Sequence, residues 1–364
     1  MNERETLARI RLLRTRHIGP ITFHHLLQRY GSALDAIKAV PDLAARGGRK
    51  LALASLNQAQ AEIAANKAVG ASLIWQDGEF YPRRLAQFSD SPACLSACGN
   101  LHLLNRPSIA IVGARNASIN AIQFVENLAH DLGTAGYVVV SGMARGIDAA
   151  AHRGSLATGS IGVVAGGVDI IYPPENRDLF KRMKTEGLLL AEMPPGTAPT
   201  PQHFPTRNRI IASLSACVIV VEAAARSGSL ITAREAADRG TEVMAVPGSP
   251  LDPRAHGCNR LIQDGAALVQ TADDVITHIS RGHIVEMPPS QDNIVIMAET
   301  PPSDEDVSLC RSKILDALAA EPVLIDAVIK WCDRPPATVW IALLELELAG
   351  FITRHYGNRI SRLS

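Results

Sequence analysis

What this chain lacks narrows it before any motif is read. Its six cysteines (Cys94, Cys98, Cys217, Cys258, Cys310, Cys332) form no C-x-x-C pair and join no histidine at zinc-binding spacing, so no metal site is expected. No run approaches the ~20 apolar residues of a membrane span, and the start MNERETLARIRLLR has no secretory apolar core. Charge of one sign is also missing: Lys+Arg and Asp+Glu both number 36. Any polyanionic partner must then be gripped by a local patch rather than by the molecule as a whole. A soluble, reduced, cytoplasmic protein without membrane contact is expected. What is present is length, 364 residues at 47% hydrophobic content, enough for two or three domains with a substantial core.

The pattern divides into regions. Residues 1–70 show helical spacing, Leu7, Ile10 and Leu13 before His17-Ile18-Gly19-Pro20, then Phe23, Leu26 and Leu27. This order fits a helix–hairpin–helix or SAM-like module, but a Gly-Pro turn alone has little specificity and favours an ordinary αα-hairpin. Residues 71–106 read as a connecting segment. Over 107–281, apolar strands (Ile109–Val112, Tyr137–Val140, Ile161–Ala165, Leu188–Ala191, Val218–Val221, Val243–Val246 and Ala267–Gln270) alternate with helical patterns such as Ala121–Gly133, Ile147–Ala157 and Leu230–Arg239. Continuous apolar strands between helices predict an α/β, Rossmann-like doubly wound, mainly parallel sheet, with ligands at the carboxyl ends of its strands. Residues 282–308, rich in Pro and acid, read as a linker. Residues 309–364, with helical patterns over Arg311–Ala319, Leu324–Cys332 and Ala337–Leu348 and a closing hairpin, read as a winged helix. Its third helix carries Glu345 and Glu347 and no Lys or Arg. Those carboxylates are expected to repel phosphate, which favours a protein-contact or packing role.

The chemistry should lie in the loops after the strands. The first, Gly113-Ala114-Arg115-Asn116-Ala117-Ser118, shows neither G-x-G-x-x-G nor G-K-[ST]. Arg115 there is either a ligand cation or half of a surface ion pair. The second, Ser141-Gly142-Met143-Ala144-Arg145-Gly146-Ile147-Asp148, places two glycines where backbone amides can form an anion nest before a helix. Asp148 then falls in the first helical turn, where a structural role beside the helix dipole is expected and a general base is the alternative, and His152 reads as a packing or hydrogen-bonding residue. No acid ends the second strand of the set, which disfavours an adenine dinucleotide. Tyr172, in AGGVDIIYPPEN, suits either base stacking or the core. The most specific stretch is FPTRNRIIASLSACVIVVEAAARSGSLITA, where Arg207, Asn208 and Arg209 precede an apolar run and Ser227-Gly228-Ser229 follows a strand. Cations beside a helix-start amide nest point to phosphate.

Taken together, IVGAR, SGMARGIDAAAH, GGVDIIYPPEN, FPTRNRIIASLS, VVEA, SGSLITA, AVPG and G-x-N-x-L-I closely resemble the DNA-processing protein A (DprA/Smf) family, in order from Ile109 to Val269. The resemblance implies a cytoplasmic bacterial protein that binds single-stranded DNA, forms a homodimer and helps load the RecA recombinase on incoming strands in natural transformation. It also implies a groove lined by Arg115, Arg207 and Arg209, with backbone contacts from the Gly142–Gly146 and Ser227–Ser229 turns. The candidate DNA-contacting set is Gly113, Arg115, Ser118, Ser141, Gly142, Arg145, Gly146, Arg207, Asn208, Arg209, Ser227, Gly228 and Ser229. One departure stands out: Ile119-Asn120 occupies the place where the family commonly has an aromatic and a glycine.

No catalytic constellation, metal or cofactor is expected. The rival reading is an enzyme resembling nucleotide phosphoribohydrolases, carried by Ser227–Thr232 followed by Glu235, and a third is a pure protein scaffold. A dimer is expected through Leu261, Ile262, Leu268, Val269, Val275, Ile276 and Ile279.

Overall fold

A computed structural model describes residues 2–282, 302–355 and 357–363. The chain divides between two compact units, one built from the amino-terminal helices through Ala61 together with the carboxyl-terminal segment, the other beginning at Glu62.

In the first unit, α1 (Glu3–Leu13), α2 (Pro20–Tyr30) and α3 (Ala33–Arg46) follow in short order, and α4 (Leu56–Ala68) leads out. Local chemistry sets their starts. Pro20 occupies the first turn of α2 behind Gly19, where a missing N–H costs nothing. Ser32 caps α3, its Oγ accepting from Asp35 N at 3.1 Å and donating to the Asp35 carboxylate at 2.8 Å. The carboxyl-terminal part repeats the device: Ser303 accepts from Asp306 N at 3.1 Å to open α13 (Asp304–Ala317). The helix therefore begins inside the stretch read as linker, whose residues 283–301 lie outside the described set.

The second unit holds the nine-stranded sheet. In chain order its elements are β1 (Ser72–Trp75), α5 (Arg83–Ala86), β2 (Cys94–Gly99), β3 (Ser108–Gly113), α6 (Ile119–Thr134), β4 (Val138–Ser141), α7 (Ile147–Ser155), β5 (Ser160–Val163), α8 (Arg177–Glu186), β6 (Leu188–Ala191), α9 (His203–Leu214), β7 (Cys217–Val221), α10 (Gly228–Asp238), β8 (Glu242–Ala245), α11 (His256–Gln263), β9 (Ala267–Leu268) and α12 (Ala272–Gly282). The strand order is β1-β2-β6-β5-β4-β3-β7-β8-β9. All pairs from β6 to β9 are parallel, whereas β1 and β2 join antiparallel at one edge. The segment read as a connection thus supplies two strands of the sheet.

The parallel strands are mostly apolar because both faces are covered, with polar residues such as Ser141, Ser160 and Glu242 confined to strand ends. Ala110 and Val112 of β3 enter one core with Val218 and Val220 of β7, while Ile109, Ile111, Ile219 and Val221 enter the opposite one. Strand order reverses between β3 and β7, which pair in register from Ala110↔Val218 to Gly113↔Val221. Close approach there requires glycine: a Cβ on Gly113 would collide with the Val221 carbonyl. All six cysteines are free and buried.

The winged helix consists of α13, α14 (Ile325–Cys332), α15 (Pro336–Leu348) and a sheet of β10 (Val323–Leu324), β12 (Arg359–Arg362) and β11 (Ile352–His355). Its third helix corrects the charge argument from the sequence. Glu345 and Glu347 are 1% and 7% exposed. Glu345 pairs with Arg311, and Glu347 accepts from Arg354 Nε at 2.8 Å. The carboxylates are neutralised inside the domain and present no acidic face to DNA. A packing role fits α15, which lies against α13 and α3.

Candidate nucleic-acid interface

The carboxyl ends of β3, β4 and β5, with the first turns of α9, enclose a cleft of about 260 Å³. Arg115 contributes from the loop after β3, Gly142, Ala144 and Arg145 from the loop after β4, Val164 to Gly166 from the end of β5, Tyr172 to Glu175 from the segment before α8, and Phe204 and Arg207 from α9.

Several local features hold these groups in place. Gly146 has φ +72°, and a Cβ there would collide with the Ala114 carbonyl and lie 2.7 Å from that of Arg115. Only glycine lets the second loop press against the first. Met143 also sits in the left-handed region, at φ +58°. Asn176 Nδ2 donates to the carbonyls of Met143 at 2.9 Å and Ala144 at 3.0 Å, fixing that loop. Ser118 caps α6, accepting from Ala121 N at 3.1 Å, and its own N and Oγ donate to the Glu222 carboxylate at 2.8 and 2.6 Å.

Beneath the cleft lies a polar layer. Asp148 accepts from Gly142 N at 3.1 Å and Ala144 N at 3.2 Å, the structural role expected for it. Burial raises its carboxyl above the ordinary value, with Arg207 and the two amides pulling the other way. Arg207, 6% exposed, donates through Nη1 to Val163 O at 2.8 Å. Burial pulls its guanidinium down to about 10, against the attraction of Asp148. His152 is fully buried and its Nδ1 meets Ser160 Oγ at 2.8 Å. Desolvation takes it down to about 3, helped by Arg207 and Arg153, so it is neutral.

At the mouth, the Tyr172 and Phe204 rings are 5.8 Å apart at 57°. The Arg115 guanidinium carbon is 5.4 Å from the Phe204 centroid and that of Arg207 5.9 Å. Arg145 pairs with Glu175 at 3.3 Å between two half-exposed side chains, a contact weak enough to exchange for a ligand phosphate. A concave site with flat rings beside cations suits an anionic chain that carries planar groups.

Of the residues singled out from sequence, Arg115, Gly142, Arg145 and Arg207 line this cleft. Gly113 and Gly146 shape its backbone, and Ser141 lies wholly buried beneath it, donating to Ile111 O at 2.6 Å. Arg209 goes elsewhere. It grips both oxygens of Glu192 at 2.7 Å and the Asp90 carbonyl, away from the cleft lining. Asn208, Ser118 and the Ser227-Gly228-Ser229 turn are also outside that lining. Ser227 caps α10 and its Oγ lies 2.8 Å from that of Ser229. Glu235, the acid of the hydrolase reading, pairs with Arg239 at 3.2 Å. Sequence reading gave no role to Phe204 or Asn176. The signal for Phe204 was its i,i+3 spacing to Arg207 on a helix, which puts both on one face.

Comparison with known proteins finds relatives along the whole order of domains. The family model for DNA recombination-mediator protein A matches residues 72–280, that for the DprA-like N-terminal HHH domain residues 3–65, and that for the DprA winged helix domain residues 298–358. Protein Smf of Escherichia coli K12 is 36% identical over 320 residues, 84% of each chain. The DNA processing protein DprA of Bacillus subtilis is 44% identical over 225 residues, 61% of this chain and 76% of that one. Among solved structures, DNA processing protein A of Streptococcus pneumoniae superposes with TM-score 0.65 at 36% identity, covering 75% of this chain and 97% of that one. DNA processing protein A of Helicobacter pylori, described for its single-stranded DNA binding mode, superposes with TM-score 0.54 at 28% identity, covering 58% and 96%. With three family models matched in order along the chain and the central one spanning 72–280, the protein belongs to the DprA/Smf family of DNA recombination-mediator proteins.

Proposed function

We propose that the chain is a single-stranded DNA-binding protein of DNA uptake and recombination, with Arg115 and Arg145 meeting phosphates at the cleft mouth while a base rests against Phe204 and Tyr172. The observation that carries this reading is the Tyr172–Phe204 pair at 5.8 Å with Arg115 beside it. A base in duplex DNA is stacked on both sides and unavailable to such a pair, so the geometry favours single strands. The binding mode described for the Helicobacter pylori relative supports it. The reading requires no cofactor, metal or catalytic group, and it places the protein in the cytoplasm, acting as a mediator that hands the strand to the RecA recombinase.

A homodimer completes the proposal. Val269, Val275 and Ile279 are buried in the unit's own core, so the wider apolar surface expected from sequence narrows to β9 and its surroundings. Leu268 on that terminal strand is 45% exposed, and Leu261 and Ile262 are partly covered. An open strand edge with apolar neighbours suits a two-fold contact that sets two clefts on one particle. Titration of single- against double-stranded oligonucleotides tests the binding reading, and equal affinity for the two would overturn it. Light scattering at micromolar concentration tests the dimer, which a monomer mass would remove.

A further inference from the structure

The face that a winged helix ordinarily lays in a DNA groove is occupied here. Helix α15 lies between α13 of its own domain and α3 of the amino-terminal helices. The approach is close: a Cβ on Gly47, at the end of α3, would collide with the Glu345 carbonyl of α15 and stand 2.8 Å from Ala349 Cβ. Around this point Arg49 lies 4.2 Å over the Phe351 ring, His25 meets Trp340 edge to face at 5.3 Å, and Arg46 pairs with Asp304 at 2.8 Å. The α15 sequence PATVWIALLELEL has no Lys or Arg, and both of its carboxylates are neutralised by Arg311 and Arg354. What remains is an apolar helix with small residues at its end. That composition suits helix packing and lacks the cations a groove-reading helix needs.

We propose that α15 is a protein-docking helix whose partner is the chain's own amino-terminal domain, so that the two ends of the chain form one clasped module. Gly47 is the residue on which the clasp closes. Its backbone is in the ordinary helical region, φ −68° and ψ −8°, which any residue adopts. A side chain there suits the backbone of α3, and the atoms its Cβ meets first are those of Glu345 and Ala349.

The test uses the full chain with a specific protease site placed between residues 282 and 302. After cleavage, the wild-type carboxyl-terminal fragment should co-elute with the remainder on gel filtration at micromolar concentration. Its release would overturn the proposal without recourse to any variant. In cleaved Gly47→Leu the fragment should separate, and retention would show that the α3–α15 contact does not hold it. Uncleaved Gly47→Leu should bind a duplex oligonucleotide within twofold of wild type. A tenfold gain would mean that the uncovered face reads DNA, and the docking assignment would fail.

Discussion

Asp148 and Arg207 both press against Gly142, a residue with no side chain to hold them off. A Cβ on Gly142 would collide with the Arg207 guanidinium and lie 2.7 Å from Asp148 Oδ2. The carboxylate also accepts the Gly142 and Ala144 amides, so a single buried charge both orients the second loop and balances the arginine under the cleft. Gly142→Ala should therefore destabilise the protein by about 1–3 kcal/mol through overpacking. It should also weaken binding by displacing Arg207. An unchanged melting temperature would contradict the close fit at Gly142.

Arg115 is exposed at the mouth, its guanidinium carbon 5.4 Å from the Phe204 centroid. Arg115→Ala should leave the melting temperature within about a degree and weaken single-strand binding. The slope of log affinity against log salt should fall by about 0.7 for the lost phosphate contact. Unchanged affinity and slope would remove Arg115 from the interface.

Phe204→Ala tests the rings rather than the charges. Loss of one stacking platform should cost about 1–3 kcal/mol of binding. The salt slope should stay where it was, which separates this change from that at Arg115. A weakened slope with unchanged affinity at low salt would argue that the ring only positions arginines.

Arg209 should behave in the opposite way. Its partners Glu192 and Asp90 are protein groups in a partly buried setting. Arg209→Ala should cost about 2 kcal/mol of stability by stranding Glu192. Single-strand affinity should remain within twofold, and a loss of tenfold or more would return Arg209 to the groove.

Acid should weaken the core unit through His152. Its value in the folded protein is about 3, below the ordinary 6.5. Between these values the unfolded chain takes up a proton that the native site refuses, so stability falls as pH drops through that window. His152→Gln should flatten the stability–pH profile there by at most about 1.4 kcal/mol per pH unit. Unfolding followed by circular dichroism at stepped pH checks this, and superimposable slopes for the two proteins would contradict it.

The contrast between Arg207 and Arg209 shows where sequence reading reaches its limit. The parallel strands from β3 to β9 were legible because burial on both faces makes them mostly apolar between helical patterns. The cations of FPTRNR were legible as a cluster. Their directions were not, because the cations were read as preceding an apolar run rather than as lying inside α9. Two residues along a helix turn about 200°, so one arginine enters the cleft and the other leaves it. β1 and β2 stayed hidden for another reason: they are antiparallel and joined by no long crossover helix. CLSACG, moreover, is mostly small residues with little strand preference. The neutral state of α15 was hidden because Glu345 finds Arg311 34 positions away, a pairing that only tertiary structure brings about.

Asn176 has a wider consequence through its two bonds to the loop after β4. By anchoring Met143 and Ala144 to the segment that carries Tyr172 to Glu175, it joins two of the lining segments before any strand arrives. A flexible single strand loses much of its own freedom on capture, and a mouth already rigid adds little to that loss. Association should then be limited by how often bases meet the opening rather than by a slow closing step, and saturation of the observed capture rate at rising DNA concentration would contradict this.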